Sequence, residues 1–219
     1  MTSEKIEQFK PTVWEGVAIA AGAVLIVTTA LAGLWLKAFN NSFDPERAEA
    51  IAKSLITYDI PGGSRGVIGV NIGGSKTAFV TSKAIPPELK DLTQLEASNR
   101  AEVQLWLARV PVRKETDAED APERADKSLA LSSGAQNGFQ VTARRTEQQY
   151  FCGHLVLVRI ASGQMNFTDR GVSVPALLYD ASVTIDSLTR NQYQVSLLVL
   201  GRDRETKARK VFNSLECKL

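Results

Sequence analysis

The sequence predicts an α+β protein: an N-terminal transmembrane helix, then a mainly antiparallel β-sheet domain flanked by amphipathic helices. Three observations carry this. An uncharged apolar run lies near the N-terminus, two alternating segments are joined by a glycine turn, and β-rich runs follow residue 129 before a closing helical pattern. Helix, hairpin, helix, several strands, helix is an order without the βαβ alternation that builds a parallel sheet.

Residues 16–36, GVAIAAGAVLIVTTALAGLWL, contain no charge and no proline. At about 1.5 Å per residue a helix of this length spans roughly 30 Å, the hydrocarbon thickness of a bilayer. Trp14 and Trp35 stand at its ends, where indoles favour the interface, and Lys37 follows to snorkel. Ala30-Leu31-Ala32 has the small-x-small pattern of a signal-peptidase site, but the tail before the run mixes lysine with glutamate instead of being plainly basic. The expected organisation is a tail over 1–15, a transmembrane helix over 16–37 and a soluble domain over 44–219. Gly16 and Ala20, and Ala18 and Gly22, are four apart, a spacing that lets a second helix approach. Lys5 and Lys10 before the span nearly balance Lys37, Arg47 and Lys53 after it. Signal-anchor architecture then places the large domain on the non-cytosolic side of an inner, plasma or thylakoid membrane.

Composition narrows the chemistry. The chain has 219 residues, 26 basic against 24 acidic, and a net charge of +2, so it lacks the strongly basic face that nucleic acid requires. Two cysteines and a single histidine exclude a His- or Cys-rich metal site and most multi-histidine catalysis. No catalytic residue, cofactor or metal ligand is expected.

After a short AFNNSF connector, DPERAEAIAKSLI reads as a capped helix. Asp44 is an N-cap, Pro45 suits the first helical position, and Ala48, Ile51, Ala52, Leu55 and Ile56 recur on one face. In the second half of residues 86–110, Val103, Trp106, Leu107 and Val110 have helical spacing and predict a helix, although Val103, Leu105 and Leu107 also fit a strand. Ten of fifteen residues over 113–127 are charged, so a flexible loop is expected at about 113–128. The runs GFQVTAR, YFCGHLVLVRI, SVTID and YQVSLLVLG read as strands, with turns at Asn137-Gly138, Ser162-Gly163 and Asp169-Arg170-Gly171. Ala208, Val211, Phe212 and Leu215 mark one face of a final helix.

The glycine-rich stretch IPGGSRGVIGVNIGGSKTAFVT, residues 60–81, raises the question of phosphate binding. A P-loop needs G-x-x-x-x-G-K-[ST] opening a helix; here Ser75 displaces Lys76-Thr77 by one residue and strand-like AFVTS follows. GVNIGGSKTAFV resembles the first phosphate hairpin of ROK-type sugar kinases and their actin-like relatives. That motif's metal-serving acid is Asn71 here, and no second phosphate motif accompanies it. Alternation of Ile68, Val70 and Ile72 with Gly69, Asn71 and Gly73, then of Ala78 and Val80 with Phe79 and Thr81, instead predicts a hairpin around a glycine turn. Glycine inside a strand marks close backbone approach. Gly66, Gly69, Asn71, Gly73, Gly74 and Lys76 are therefore the candidate partner-contact surface.

The series FDPERAEAIAKSLITYDIPGGSRGVIGVNIGGSKTAFV resembles the membrane-proximal region of uncharacterised bacterial, notably cyanobacterial, single-span proteins. The order of strand pair, connecting helix, further strands and a terminal VFNSLE helix is similar to PsbP-type α/β/α domains, which implies a binding or assembly module. Cys152 and His154 are placed two apart on one strand, where a dyad would share a face; alternatively, Cys152 and Cys217 pair in a disulfide, clamping the last helix to the sheet. Basic clusters at Arg144-Arg145 and over 202–210 read as charged faces of a strand end and a helix. The expected function is non-catalytic: a membrane-anchored accessory protein that assembles or stabilises a membrane protein complex. The alternatives are a tethered ligand-binding or sensory domain, whose small-molecule ligand stays open, and an enzyme using the glycine hairpin.

Overall fold

The computed structural model describes residues 13–91, 97–112, 138–167, 171–186 and 190–218. The charged loop expected at 113–128 and most of the N-terminal tail lie outside them. The chain forms two compact units, one through Asn41 and one from Ser42 onward.

The first unit is helix α1, Val13–Ser42, 30 residues whose most apolar window has a mean hydropathy of 2.3. It is long and apolar enough to cross a membrane. The segment read as an AFNNSF connector is helical through Ser42, because nothing in it breaks a helix. Thr28 and Thr29 donate their hydroxyls to the carbonyls of Val24 and Leu25, at 2.9 and 2.7 Å, so neither polar group is left unpaired in apolar surroundings.

In the second unit, helix α2 (Pro45–Leu55) is separated from the end of α1 by two residues, Phe43 and Asp44. The Asp44 carboxylate accepts from the backbone N–H of Glu46 at 3.0 Å and of Arg47 at 3.5 Å, satisfying two of the orphan donors of the first turn. Ala48, Ile51, Ala52 and Leu55 are buried, so the helix packs on its own domain. Strand β1 (Ile56–Thr57) follows directly, then the hairpin of β2 (Ser64–Ile72) and β3 (Ser75–Ser82).

A 3-10 turn at Pro87–Leu89 and the four-residue α3 (Ala97–Arg100) lead to β4, Val103–Pro111. The helix expected here is a strand. Val103, Leu105 and Leu107 are sealed on one face while Trp106 stands on the other, and β4 is hydrogen-bonded to β3 on one side and β8 on the other. Two ladders outweigh a helical spacing that only the partly exposed Trp106 and Val110 completed.

Strands β5 (Phe139–Phe151), β6 (His154–Phe167), β7 (Val172–Asp186) and β8 (Arg190–Leu200) complete a seven-stranded sheet of order β2-β3-β4-β8-β7-β6-β5, antiparallel throughout. The run YFCGHLVLVRI is two strands, turned at Cys152-Gly153, where φ is 54° and 77°. Ser162-Gly163 is no turn. It lies inside β6 opposite a bulge in β5, where a Cβ on Gly163 would stand 2.0 Å from the Gln140 carbonyl oxygen. Helix α4 (Arg204–Asn213) buries Ala208, Val211 and Phe212, and β9 (Glu216–Cys217) pairs antiparallel with β1.

The main core lies on one face of the sheet. Ile51 and Leu55 from α2, Val211 and Phe212 from α4, and Leu105, Tyr179 and Leu197 from the strands share it. Phe212 packs tilted against Phe151 and Tyr179, at ring-centroid distances of 6.0 and 5.5 Å. The opposite face carries a smaller cluster in which Leu89 covers Val174, Ala176, Leu178 and Leu198.

The contact of α2 with β2 sets up a test. A Cβ on Gly66 would lie 2.1 Å from the Pro45 carbonyl oxygen, whereas one on Gly73 meets nothing. Gly66→Ala is expected to lower the unfolding free energy by about 2–3 kcal/mol. Gly73→Ala, strained only by its positive φ, should lose about 1 kcal/mol. Urea titration of both variants reads the difference; equal losses would mean that α2 does not rest on the strand.

Candidate functional site

The glycine hairpin is built as its alternation suggests. Ile72 pairs with Ser75, leaving Gly73-Gly74 as a two-residue loop with φ of 60° and 85°, the pattern of a type I′ turn. The strands do not expose one continuous surface. A register shift between Gly66 and Ile68 leaves Val67 as an extra residue on β2. Glycines three apart, which a regular strand would turn to opposite faces, thereby meet α2 together. A Cβ on Gly69 would lie 2.6 Å from Ala48 Cα.

The six residues expected to form a contact surface are thus divided. Gly66 and Gly69 are buried beneath α2, so the element that approaches them closely belongs to the same domain. Asn71, Gly73 and Gly74 are exposed at the turn end. Lys76, directly opposite Asn71, donates Nζ to Ser54 Oγ of α2 at 3.1 Å. Where a phosphate hairpin would place a carboxylate for a metal ion there is a solvent-facing amide, and the lysine bonds a helix hydroxyl. Among the described residues no group of three or more His, Cys, Asp or Glu side chains is placed to hold a metal.

Cys152 and Cys217 are joined by a disulfide, with Cα atoms 4.9 Å apart. It ties the β5–β6 turn to strand β9, just beyond α4, instead of clamping the helix itself. Cys152 sits in the turn and His154 begins β6 opposite Phe151, exposed to solvent, so the two do not form a dyad on one strand.

A further arrangement escaped the sequence reading. On the sheet face away from α2 and α4, Phe79, Trp106, Ser196, Asp180 and Arg159 stand in one cross-strand row. Phe79 and Trp106 stack at 4.5 Å with planes 14° apart. Ser196 is buried. Trp106 Nε1 and Asp180 Oδ1 are both sealed from solvent without a hydrogen-bond partner. Burial pushes the Asp180 carboxyl above its usual range, and the Ser196 hydroxyl and the Arg159 charge offset this only in part. The available signal was Asp180 itself, the lone charged residue in the run over 172–185. It had no visible partner there because Trp106 and Arg159 lie on other strands.

No family model matches the chain, and no curated protein matches it. Among solved structures it is similar to LpqN, involved in cell envelope biogenesis of Mycobacterium tuberculosis. The TM-score is 0.41 and the identity 10%, over 75% of this chain and 83% of that one. A likeness of that degree carries no argument about function.

Asp180 supplies a pH test. A carboxyl whose folded pKa is raised keeps its proton longer in the folded state. Stability is therefore highest below the unfolded pKa, near 3.8, and falls as pH rises through the folded value. Asp180→Asn should be more stable than the parent at pH 7, with the difference closing toward pH 3. Denaturant midpoints across that range check it; a variant equally destabilised at both ends would show that the carboxylate is satisfied.

Proposed function

We propose that the chain is a single-span membrane protein whose α+β domain stands on the non-cytosolic side. There it acts as a non-catalytic binding module, an accessory factor in the assembly or stabilisation of a membrane protein complex. The observation that carries the anchor is α1: its large apolar residues, among them Ile19, Leu25, Ile26 and Leu34, are exposed. Water is a poor solvent for such a surface and lipid a good one.

Sidedness rests on the disulfide. Cys152 is the one non-glycine residue with positive φ among the described residues. Glycine or asparagine would sit in that turn position at less cost. A cysteine there makes sense through its bond to Cys217, and such bonds persist in oxidising compartments. The hairpin supports a binding role, because Asn71, Gly73 and Gly74 at its turn end are exposed and open to a partner. The orphaned donor and acceptor at Trp106 and Asp180 favour a second reading, a tethered domain that binds a small hydrogen-bonding ligand.

Purification of the full chain in mild detergent, with mass spectrometry of what accompanies it, separates the readings. The accessory role requires stoichiometric membrane-protein partners, and a lone protein would sink it. Thiol labelling addresses the compartment. Neither cysteine should react with maleimide in intact cells until a reductant is added. Replacing both with serine should cost about 4 kcal/mol for a closure spanning 65 residues of sequence, read as a lower Tm. Free, labelled thiols in untreated cells would place the domain in the cytosol.

A further inference from the structure

A groove of about 430 Å³ opens beside the start of α2, lined by Phe43, Pro45, Arg65, Val67, Lys83 and Ile85 among others. Its lining is of two kinds. Phe43, Pro45, Val67 and Ile85 offer apolar surface, while Arg65 and Lys83 bring two positive charges. Neither cation has a hydrogen-bond or salt-bridge partner among the described residues. Glu49 feels the Lys83 charge electrostatically, but its hydrogen bonds go to other groups. It takes Lys53 Nζ at 2.8 Å and the Ser64 hydroxyl at 2.8 Å, and these two hydrogen bonds, Lys53 first, hold its carboxyl below the usual range. The backbone helps to shape the space. β2 is an edge strand, and its bulge at Val67 interrupts the regular pairing at the groove wall.

Position along the chain narrows the occupant. Phe43, part of the lining, is the residue directly after α1 in the chain, so the lining begins in sequence where the helix proposed to span the bilayer ends. We propose that this groove binds the phosphate-bearing headgroup of an anionic membrane lipid. Arg65 and Lys83 take the phosphate, and Phe43, Val67 and Ile85 cover the glycerol and first acyl carbons. Charge complementarity and the amphipathic lining both fit a headgroup better than a free anion, which would have no use for the apolar wall. The inference rests on the membrane-anchor reading above and gives the domain a fixed seat on the bilayer surface.

The test uses the full-length protein in nanodiscs of equal parts phosphatidylglycerol and phosphatidylcholine, with retained lipids counted by native mass spectrometry. The parent should retain phosphatidylglycerol selectively. Arg65→Gln with Lys83→Gln should reduce that preference about thirtyfold at low salt, as two basic groups near a surface imply. Lys90→Gln with Arg202→Gln, which removes the same charge elsewhere, should leave it intact. Selectivity that survives in the groove variant would assign the lipid to α1 and overturn the proposal. Displacement by inorganic phosphate at concentrations that saturate the lipid-free protein would make the groove a free-anion site and also overturn it. Carbonate extraction of the same membranes tests the anchor separately. Release of the protein would sink the membrane reading, whereas a retained protein without lipid preference would sink only the groove.

Discussion

The contact on which the domain depends is the seating of α2 on bare backbone of β2. Two glycines and a one-residue bulge let the helix descend until Pro45 and Ala48 touch the strand. Everything downstream in the chain inherits that position. α2 leads without a loop into β1, β1 pairs with β9, and β9 carries Cys217, whose disulfide reaches the β5–β6 turn. The Lys218 N–H bonds the Leu55 carbonyl at 2.9 Å, and the Tyr193 hydroxyl bonds the Lys218 carbonyl at 3.0 Å. Elements resting on β2, one edge of the sheet, are thus tied across its face to β5 and β6 at the other.

That chain of links explains how a two-stranded ribbon as short as β1–β9 persists. Two residue pairs alone bury too little to offset their ordering entropy. Here α2 and the disulfide hold the ribbon at the end where Ile56 pairs with Cys217, the last helix leads into its other end at Glu216, and Tyr193, Val183 and Ile185 are buried in the same core. The two faces of the sheet then diverge. The face under the helices carries the main apolar core, with charged residues such as Lys76, Arg145 and Glu147 toward its edges, whereas the other mixes the aromatic pair Phe79–Trp106 with buried Gln104, Gln194 and Ser196 and the partnerless Asp180 oxygen. An acceptor left without a partner in a low-dielectric setting is costly, which makes this row a place where the fold is not optimised for stability alone.

Local chemistry was legible in the sequence. The Asp44–Pro45 start of α2, the Gly73-Gly74 turn and the apolar face of α4 each depend on residues within one or two turns of each other, and each stands where its residues indicate. Of the proposed contact residues, four at the turn end were read correctly as lying on a hairpin. Gly66 and Gly69 were read correctly as points of close approach, but the approaching element is α2. A bulge is a property of the pairing, not of the strand, so the face each glycine takes was hidden. Residues 103–111 show the reverse case: a helical spacing present in the chain yielded to two hydrogen-bonded ladders.

By itself, the sequence determined an apolar helix long enough for a bilayer, a capped amphipathic helix, a glycine hairpin and a strand-rich remainder, because periodicity and turn chemistry act over a few residues. Only the tertiary structure decided the order of the strands, the division of YFCGHLVLVRI into two of them, the meeting of Cys152 with Cys217 and the row from Phe79 to Arg159. Those depend on register between segments far apart in the chain. Register is chosen by the burial of whole faces at once, a quantity that no single stretch of residues contains.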